Sequence, residues 1–499
     1  MKRIRILIIF FFIMILSFAS CSPKEETIET TETYESTAAI DTVTEETKYE
    51  VSYLPDVSYE GYVFRVLSCA YPNGFSIMTL ADAEEQSGEI LNDAIYLRNL
   101  EIEQEYDITF KADYANEFFN MTEQLKKSVL GGSDDYDLNM LICRDAFSVA
   151  QDGMIVPVED MPYADISQPW YVQTINDALT IGNKLYFAYS DDAINLFEWT
   201  NLVLFNKSYA DSYSLGDLYE LVRSGKWTIE KFFNCAKAVI TDLDGDGKYN
   251  DLDLLGIISQ NDFYYPSFWV SSDLDTVQKD KDDIPFLAVD GNEKFFKLLT
   301  DIVNYSTEDG MFFDTFTHTP VSIDKGRGDE QRVAGHVLFA NGVSLFEVTN
   351  VGALQSMREM ENDFGILPIP KYDEAQQNYR SRTIDGWLYC VPVTNSNLER
   401  TSVIMEAMAV GAKNTIVPAY YEVALKEKYT RDLDSKEMFE LIYNTRAFDM
   451  GDVYWMDAIR NVYVPEMIKG NTEFVSITEK RLGAMNKVIV DAIEALASE

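Results

Sequence analysis

Histidine and cysteine are both scarce in this chain, with two histidines and five cysteines among 499 residues. Neither His318 nor His336 stands in an H-E-x-x-H or other zinc spacing, and no two cysteines form a C-x-x-C pair; the common zinc and dithiol centres are thereby excluded. Also missing are G-x-S-x-G, G-x-x-x-x-G-K-[ST] and a G-x-G-x-x-G that follows a strand. Nucleophile-elbow hydrolysis and nucleotide chemistry are therefore not expected. Basic residues are outnumbered, 41 Lys and Arg against 83 Asp and Glu, for a formal charge of −42. A surface of that sign repels nucleic acid and anionic lipid and favours neutral or cationic partners. Beyond the first residues no apolar run approaches the roughly 20 residues needed to cross a bilayer.

What is present begins with Lys2, Arg3 and Arg5 ahead of the apolar run Ile6 to Leu16, followed by Ser17-Phe18-Ala19-Ser20-Cys21. A basic n-region, a short h-region and small residues predict a cleaved signal peptide over residues 1–20. Phe18-Ala19-Ser20-Cys21 resembles a bacterial lipobox, which implies lipidation of Cys21 and attachment to the outer face of a cell membrane. Residues 21–58 are rich in Thr, Glu and Ser; such a composition buries too little apolar surface to offset ordering and predicts an extended acidic stalk. The remaining stretch, 59–499, has apolar and aromatic material for a large core of two or three domains. Cys69, Cys143, Cys235 and Cys390 each sit in apolar stretches and are expected as buried thiols, with one disulfide as the alternative in an exported protein.

Past the stalk, Tyr62 to Leu67 reads as a strand, Leu91, Ile95 and Ile102 recur at helical spacing, Ile108 to Phe110 is β-rich, Phe118 to Leu130 is helical up to Gly131-Gly132, and Leu138 to Cys143 is an apolar run of buried-strand length. Strand, helix, strand, helix, strand predicts an α/β lobe with a parallel sheet. Ligands on such sheets bind beyond the carboxyl ends of the strands, which points to Tyr71 and Asn73 after the first strand and to Arg144 and Asp145 after the third. A second block opens near Trp170, with strands over Lys184 to Ala188 and Leu202 to Phe205 and helices over Leu215 to Arg223 and Thr228 to Val239. Phe295 to Val303 is helical in spacing, Gly335 to Glu347 reads as strand-like, and the chain from Glu399 onward is mainly helical.

The most specific metal signal is Asp242-Leu-Asp244-Gly-Asp246-Gly247-Lys248-Tyr-Asn250-Asp-Leu-Asp253. Carboxylates at loop positions one, three and five, glycine at six, the Lys248 carbonyl at seven, Asn250 at nine and Asp253 at twelve form the pattern that wraps Ca²⁺. Asp253 stands where glutamate is usual, as in loops that resemble the dockerin type. A short β-like exit, Leu254 to Ile258, favours a structural clip over a calcium sensor.

Taken in order, several stretches resemble the extracellular, sugar-type solute-binding proteins of bacterial ABC importers. They are Leu91 to Ile108, Gly131-Gly132 through Tyr136-Asp137-Leu138, Gly153 to Trp170, Leu218 to Thr228 with its G-K-W-T turn, Phe339-Ala-Asn-Gly342, Phe364 to Lys371 and Asp385-Gly386-Trp387. The resemblance implies a two-lobed α/β fold of the type II periplasmic-binding-protein kind. Lobe 1 would comprise 59–167 plus 333–385 and lobe 2 would comprise 168–332 plus 386–499, with a ligand cleft between them. It implies a monomeric, non-enzymatic receptor that passes a carbohydrate, an oligosaccharide by preference, to a membrane permease. Stacking on the sugar would fall to Trp170, Trp199, Trp269, Trp387 and Tyr71, and hydrogen bonding to Asp145, Glu347, Asn350 and Asp385 with Arg144 close by. Trp227 is assigned to the core. A peptide or other solute is the alternative within the fold, and a surface glycosidase, which needs only two spaced carboxylates, or an adhesin is the alternative outside it.

Overall fold

A computed structural model describes residues 48–69, 83, 85–115, 118–193, 195–323, 330–357, 360–384, 386–420 and 432–497. The expected signal peptide, Cys21, most of the expected stalk, Tyr71, Asn73 and Asp385 lie outside the described residues. Nine strands form two main sheets: β1 (Tyr62–Cys69), β2 (Ile108–Ala115), β3 (Leu138–Ile142), β4 (Asn201–Asn206), β5 (Leu255–Ser259), β6 (Phe312–Asp314), β7 (Ser344–Asn350), β8 (Phe364–Leu367) and β9 (Trp387–Cys390). The described helices of eight residues or more are α1 (Ile90–Tyr106), α2 (Phe118–Leu130), α3 (Cys143–Gln151), α4 (Ile229–Val239), α5 (Asn261–Ser271), α6 (Glu293–Ser306), α7 (Glu330–Ala340), α8 (Leu398–Asn414), α9 (Leu433–Asn444), α10 (Arg460–Ile468) and α11 (Phe474–Ala497).

In the first sheet the order is β9-β3-β1-β2, with β1 parallel to both β2 and β3 and β9 antiparallel to β3. Its parallel strands read as nearly continuous apolar runs because both faces are covered; Phe64, Val66, Leu67, Leu138, Met140 and Leu141 are all buried. Crossover helix α2 stops where Gly132 takes a φ of 66°, a left-handed turn that a residue without Cβ adopts at no steric cost. In the second sheet the order is β8-β4-β7-β5-β6. Here β5 is parallel to β6 and β7, while β4 is antiparallel to β7 and β8. Trp227 is buried in this half, its Nε1 donating to the Pro368 carbonyl at 2.9 Å, as expected for a core tryptophan.

Four expectations need correction. Sheet membership exchanges two segments between the expected lobes, because β7 and β8 belong to the second sheet and β9 to the first. Gly335 to Ala340 is helical, the end of α7, because Ala334, Leu338 and Phe339 recur at the spacing that buries one helix face. Lys184 to Ala188 forms only isolated bridges, Ile181 to Lys184 and Ala188 to Tyr389. The last part of the expected stalk is seated on the fold. Tyr49 and Asn414 exchange two hydrogen bonds of 2.9 Å each, Tyr53 donates to Glu406, and Val51 and Leu54 pack against the core.

The chain passes from the first sheet to the second between α3 and β4, and returns between β8 and β9. These two passages lie side by side, bridged at Thr200 to Thr383 and at Ala188 to Tyr389. The C-terminal helices then touch both halves: α8 packs on α1, α9 on β8, α10 on α5, and α11 on both α3 and α6. No helix of the described residues is long and apolar enough to cross a membrane.

Candidate ligand-binding site

At the carboxyl end of β3 the chain turns directly into α3, whose first amide, that of Cys143, donates to the Gly386 carbonyl at 3.0 Å. Arg144 and Asp145 occupy the first turn, where a carboxylate is favoured by the helix dipole. They pair at 3.0 Å, and Thr122 Oγ1 donates to the second oxygen of Asp145 at 3.2 Å. Their side chains are 37% and 17% exposed, so the pair faces reachable space at the sheet's edge. Trp387 lies opposite Ile142 on β9 and donates its backbone amide to Asn195 Oδ1 at 2.6 Å. Gly386 is what lets the two passages approach this closely, since a Cβ there would lie 3.1 Å from the Leu196 side chain and 3.2 Å from its Cα. Arg144 and Asp145 thus sit together at the carboxyl end of β3, while Trp387 is near them in backbone register with its side chain buried in the core.

Packed behind this edge is a buried aromatic cluster that sequence reasoning missed. Phe147 of α3 stacks on Tyr454 with centroids 3.8 Å apart and planes 3° from parallel, and Trp455 meets the same ring edge-on at 5.5 Å. Phe187 and Phe448 add edge contacts to Tyr454. Such pairs contribute about 0.5–1.5 kcal/mol each beyond the area they bury. Two buried carboxylates hold the segment that carries Tyr454. Asp452 accepts from Arg382 at 2.6 and 2.9 Å and from Arg460 at 3.4 Å. Asp449 accepts from Trp269 Nε1, Thr276, Val277 and Gly451. Arg382 has a second task. Pro266 inside α5 cannot donate to the Asp262 carbonyl one turn earlier, and Arg382 Nη1 takes that carbonyl at 2.9 Å instead. The aromatic-dense run Phe448 to Trp455 was the available signal; its partners lie some seventy to three hundred residues away in sequence and gave none.

The other expected ligand residues separate. Trp170 is core, donating Nε1 to Glu406 at 2.8 Å, and Tyr171 donates to the same carboxylate at 2.6 Å. Burial pushes the Glu406 pKa up, although these donors and Tyr53 pull against it. Trp269 is fully buried on Asp449. Glu347 is buried beneath α7 with His336 Nδ1 2.5 Å from its Oε1. Burial opposes charging of that imidazole, but the Glu347 charge and hydrogen bond outweigh it and hold the His336 pKa above its ordinary value. These three side chains face the core, where Glu406, Asp449 and His336 supply their partners. Trp199 and Asn350 do lie at the passages: Trp199 is half-buried, its carbonyl accepting from the Ile384 amide at 3.3 Å, and Asn350 ends β7, its Oδ1 accepting from Ala353 at 3.2 Å. Cys69, Cys143, Cys235 and Cys390 are buried and stand outside any disulfide among the described residues, and burial raises the pKa of Cys390.

The acidic loop forms a tight wrap at the entry to β5. Asp242 accepts the amides of Gly245 and Gly247 at 2.7 and 2.9 Å, Asp244 that of Asp246 at 3.0 Å, and Asp246 that of Lys248 at 2.7 Å. Oxygens of Asp242, Asp244 and Asp246 lie within 4.8 Å of one another, a donor set suited to a hard divalent cation. Asn250 Oδ1 accepts the Leu252 amide at 2.9 Å. Asp253 is buried and both its oxygens accept loop amides, from Leu243 at 2.9 Å and Asn250 at 3.0 Å. The residues at positions one, three and five therefore fit a cation, while Asp253 shapes the loop.

No family model matches the sequence, and no curated protein matches it. Solved structures do resemble the fold. A cyclo/maltodextrin-binding protein complexed with maltotetraose is 14% identical, with 87% of this chain and 96% of that one covered at a TM-score of 0.53. UgpB from Mycobacterium tuberculosis, in complex with glycerophosphocholine, is 13% identical over 86% and 98% at 0.53. The protein CpMnBP1, with mannotriose bound, is 15% identical over 86% and 100% at 0.52. With two sheets joined by paired passages, and with this likeness over most of its length, the chain has the two-lobed α/β fold of periplasmic-binding-protein type.

Proposed function

We propose that the chain is an extracellular receptor, lipid-anchored through Cys21, that captures a carbohydrate in the cleft between its lobes and delivers it to an ABC-type permease without turning it over. The observation that carries this reading is the partly exposed Arg144–Asp145 pair at the carboxyl end of β3, backed by the buried Phe147–Tyr454–Trp455 cluster. Aromatic faces stack on the C–H face of a sugar, and paired charged groups satisfy its hydroxyls. Structures similar in fold hold maltotetraose and mannotriose. A second reading, a small phosphodiester or other polar solute, is favoured by the glycerophosphocholine in UgpB.

A thermal-shift panel of linear oligosaccharides, glycerophosphocholine and short peptides separates these readings, because a ligand of the folded state raises the melting temperature by mass action. A shift with oligosaccharides and no release of reducing sugar supports the receptor. Shifts confined to peptides or glycerophosphocholine contradict the carbohydrate assignment, and turnover contradicts the receptor.

The acidic loop is proposed to hold structural Ca²⁺ on Asp242, Asp244 and Asp246, with the Lys248 carbonyl and Asn250 completing the wrap; the ion would neutralise carboxylates that otherwise repel one another. Loss of the melting-temperature difference between Ca²⁺ and chelator in Asp244→Asn supports this, and its persistence argues against it. The anchor is tested by Cys21→Ala, which is expected to release the protein from the membrane fraction.

A further inference from the structure

Asp449 is a buried carboxylate at the start of the short turn Met450–Val453 that leads into Tyr454 and Trp455. Its donors come from three separate places. Trp269 Nε1 reaches it from α5 at 3.1 Å. From the loop after α5 come the Thr276 amide at 3.1 Å, Thr276 Oγ1 at 2.9 Å and the Val277 amide at 3.3 Å. From its own turn comes the Gly451 amide at 3.1 Å. Residue 451 must be glycine for this approach, since a Cβ there would sit 2.1 Å from Thr276 Oγ1. Every contact is a donor, so the arrangement suits an ionised acceptor.

We propose that Asp449 is the positioning residue of the aromatic face: as a carboxylate it locks Tyr454 and Trp455 against Phe147, and on gaining a proton it loosens them. The assignment rests on reading that face as part of the ligand site. A protonated Asp449 carries an O–H that among these five contacts only Thr276 Oγ1 can accept, by reversing its own donation, and the bonds from the Trp269 ring and the three amides lose the charge that strengthens them, that of Gly451 within the turn included.

The charged groups around Asp449 place this exchange in an accessible range. Asp275 lies on the loop after α5, held by Arg380 at 2.7 Å, which also contacts Asp273 at 2.9 Å; Asp452 lies one turn on, held by Arg382 and Arg460. Burial first, then the Asp275 and Asp452 charges, push the Asp449 pKa up to about 7, against the pull of Thr276. This folded value lies above the ordinary carboxylate value of about 3.9. The folded protein therefore binds the proton more tightly than the unfolded chain, and this group's contribution to stability falls as pH rises between those two values.

The test is a pH titration of near-ultraviolet circular dichroism on the full mature chain without ligand. Wild type is expected to show a transition near neutral pH with an unchanged far-ultraviolet signal. Thr276→Val, which removes one donor to the ionised form, should raise the midpoint by about one pH unit, the size of one hydrogen bond to a charged group. Asp449→Asn should abolish the transition; if that variant does not fold, Thr276→Val decides. A flat wild-type titration overturns the proposal, and so does a midpoint that Thr276→Val leaves unmoved. A carbohydrate panel that binds nothing while the transition persists would overturn the receptor reading and leave this assignment standing.

Discussion

Asp449 and Asp452 on one side, and Asp242, Asp244 and Asp246 on the other, are two acidic clusters solved in opposite ways. The first pair is buried and receives most of its donors from segments distant in sequence, Arg382, Thr276 and Trp269, with Arg460 eight residues on from Asp452. The second trio is half-buried to exposed and accepts amides of its own loop. Buried charge is tolerated only when paired and hydrogen-bonded, so the first cluster holds the tertiary structure together where the lobes meet. Exposed charge is solvated and needs no partner, so the second is free to exchange water for a cation.

The comparison breaks most visibly at Arg382. Arg382→Met leaves Asp452 with only the 3.4 Å contact to Arg460 and takes the donor from the Asp262 carbonyl, and breaking a buried pair in this way costs about 3–5 kcal/mol; urea unfolding measures it, and Arg382→Met with Asp452→Leu should recover part of the loss. Next in size, Trp455→Ala should weaken carbohydrate binding by about 2 kcal/mol, roughly thirtyfold, as for a central aromatic anchor. Gly386→Ala presses a methyl onto Leu196 and is expected to cost about 1–3 kcal/mol of stability. In the loop, Asp246→Asn should leave stability in chelator within about 0.5 kcal/mol while lowering the Ca²⁺-dependent gain. Smallest is the exposed Lys48–Glu101 pair, whose removal should change stability by under about 1 kcal/mol.

Local features were readable from sequence wherever a contiguous segment carries its own reason. The strands near Tyr62 and Leu138 stand out because a strand buried on both faces reads as one apolar run, the one at Ile108 because its buried residues alternate with exposed ones, and the acidic loop because its spacing is its chemistry. The rule about strand ends placed Arg144 and Asp145 at the end of β3, where they are partly exposed, whereas Trp387, taken from a resemblance, is buried. Trp170, Trp269 and Glu347 were misassigned for one physical reason: whether a polar tip faces a cleft or the core depends on a partner, here Glu406, Asp449 or His336, that lies at no fixed spacing. The stack of Phe147 on Tyr454 joins residues about three hundred positions apart, and no periodicity reports it. Tyr49, Tyr53 and Leu54 ended the expected stalk early, because aromatic and aliphatic residues within an acidic tract found a surface to cover.

Titration calorimetry of linear gluco- and manno-oligosaccharides into the mature protein, beside Tyr454→Ala and Trp455→Ala, tests the central claim most directly. The account predicts saturable, stoichiometric binding of at least one oligosaccharide, weakened at least tenfold in both variants. Binding of none of them, or binding that both variants leave intact, would contradict it.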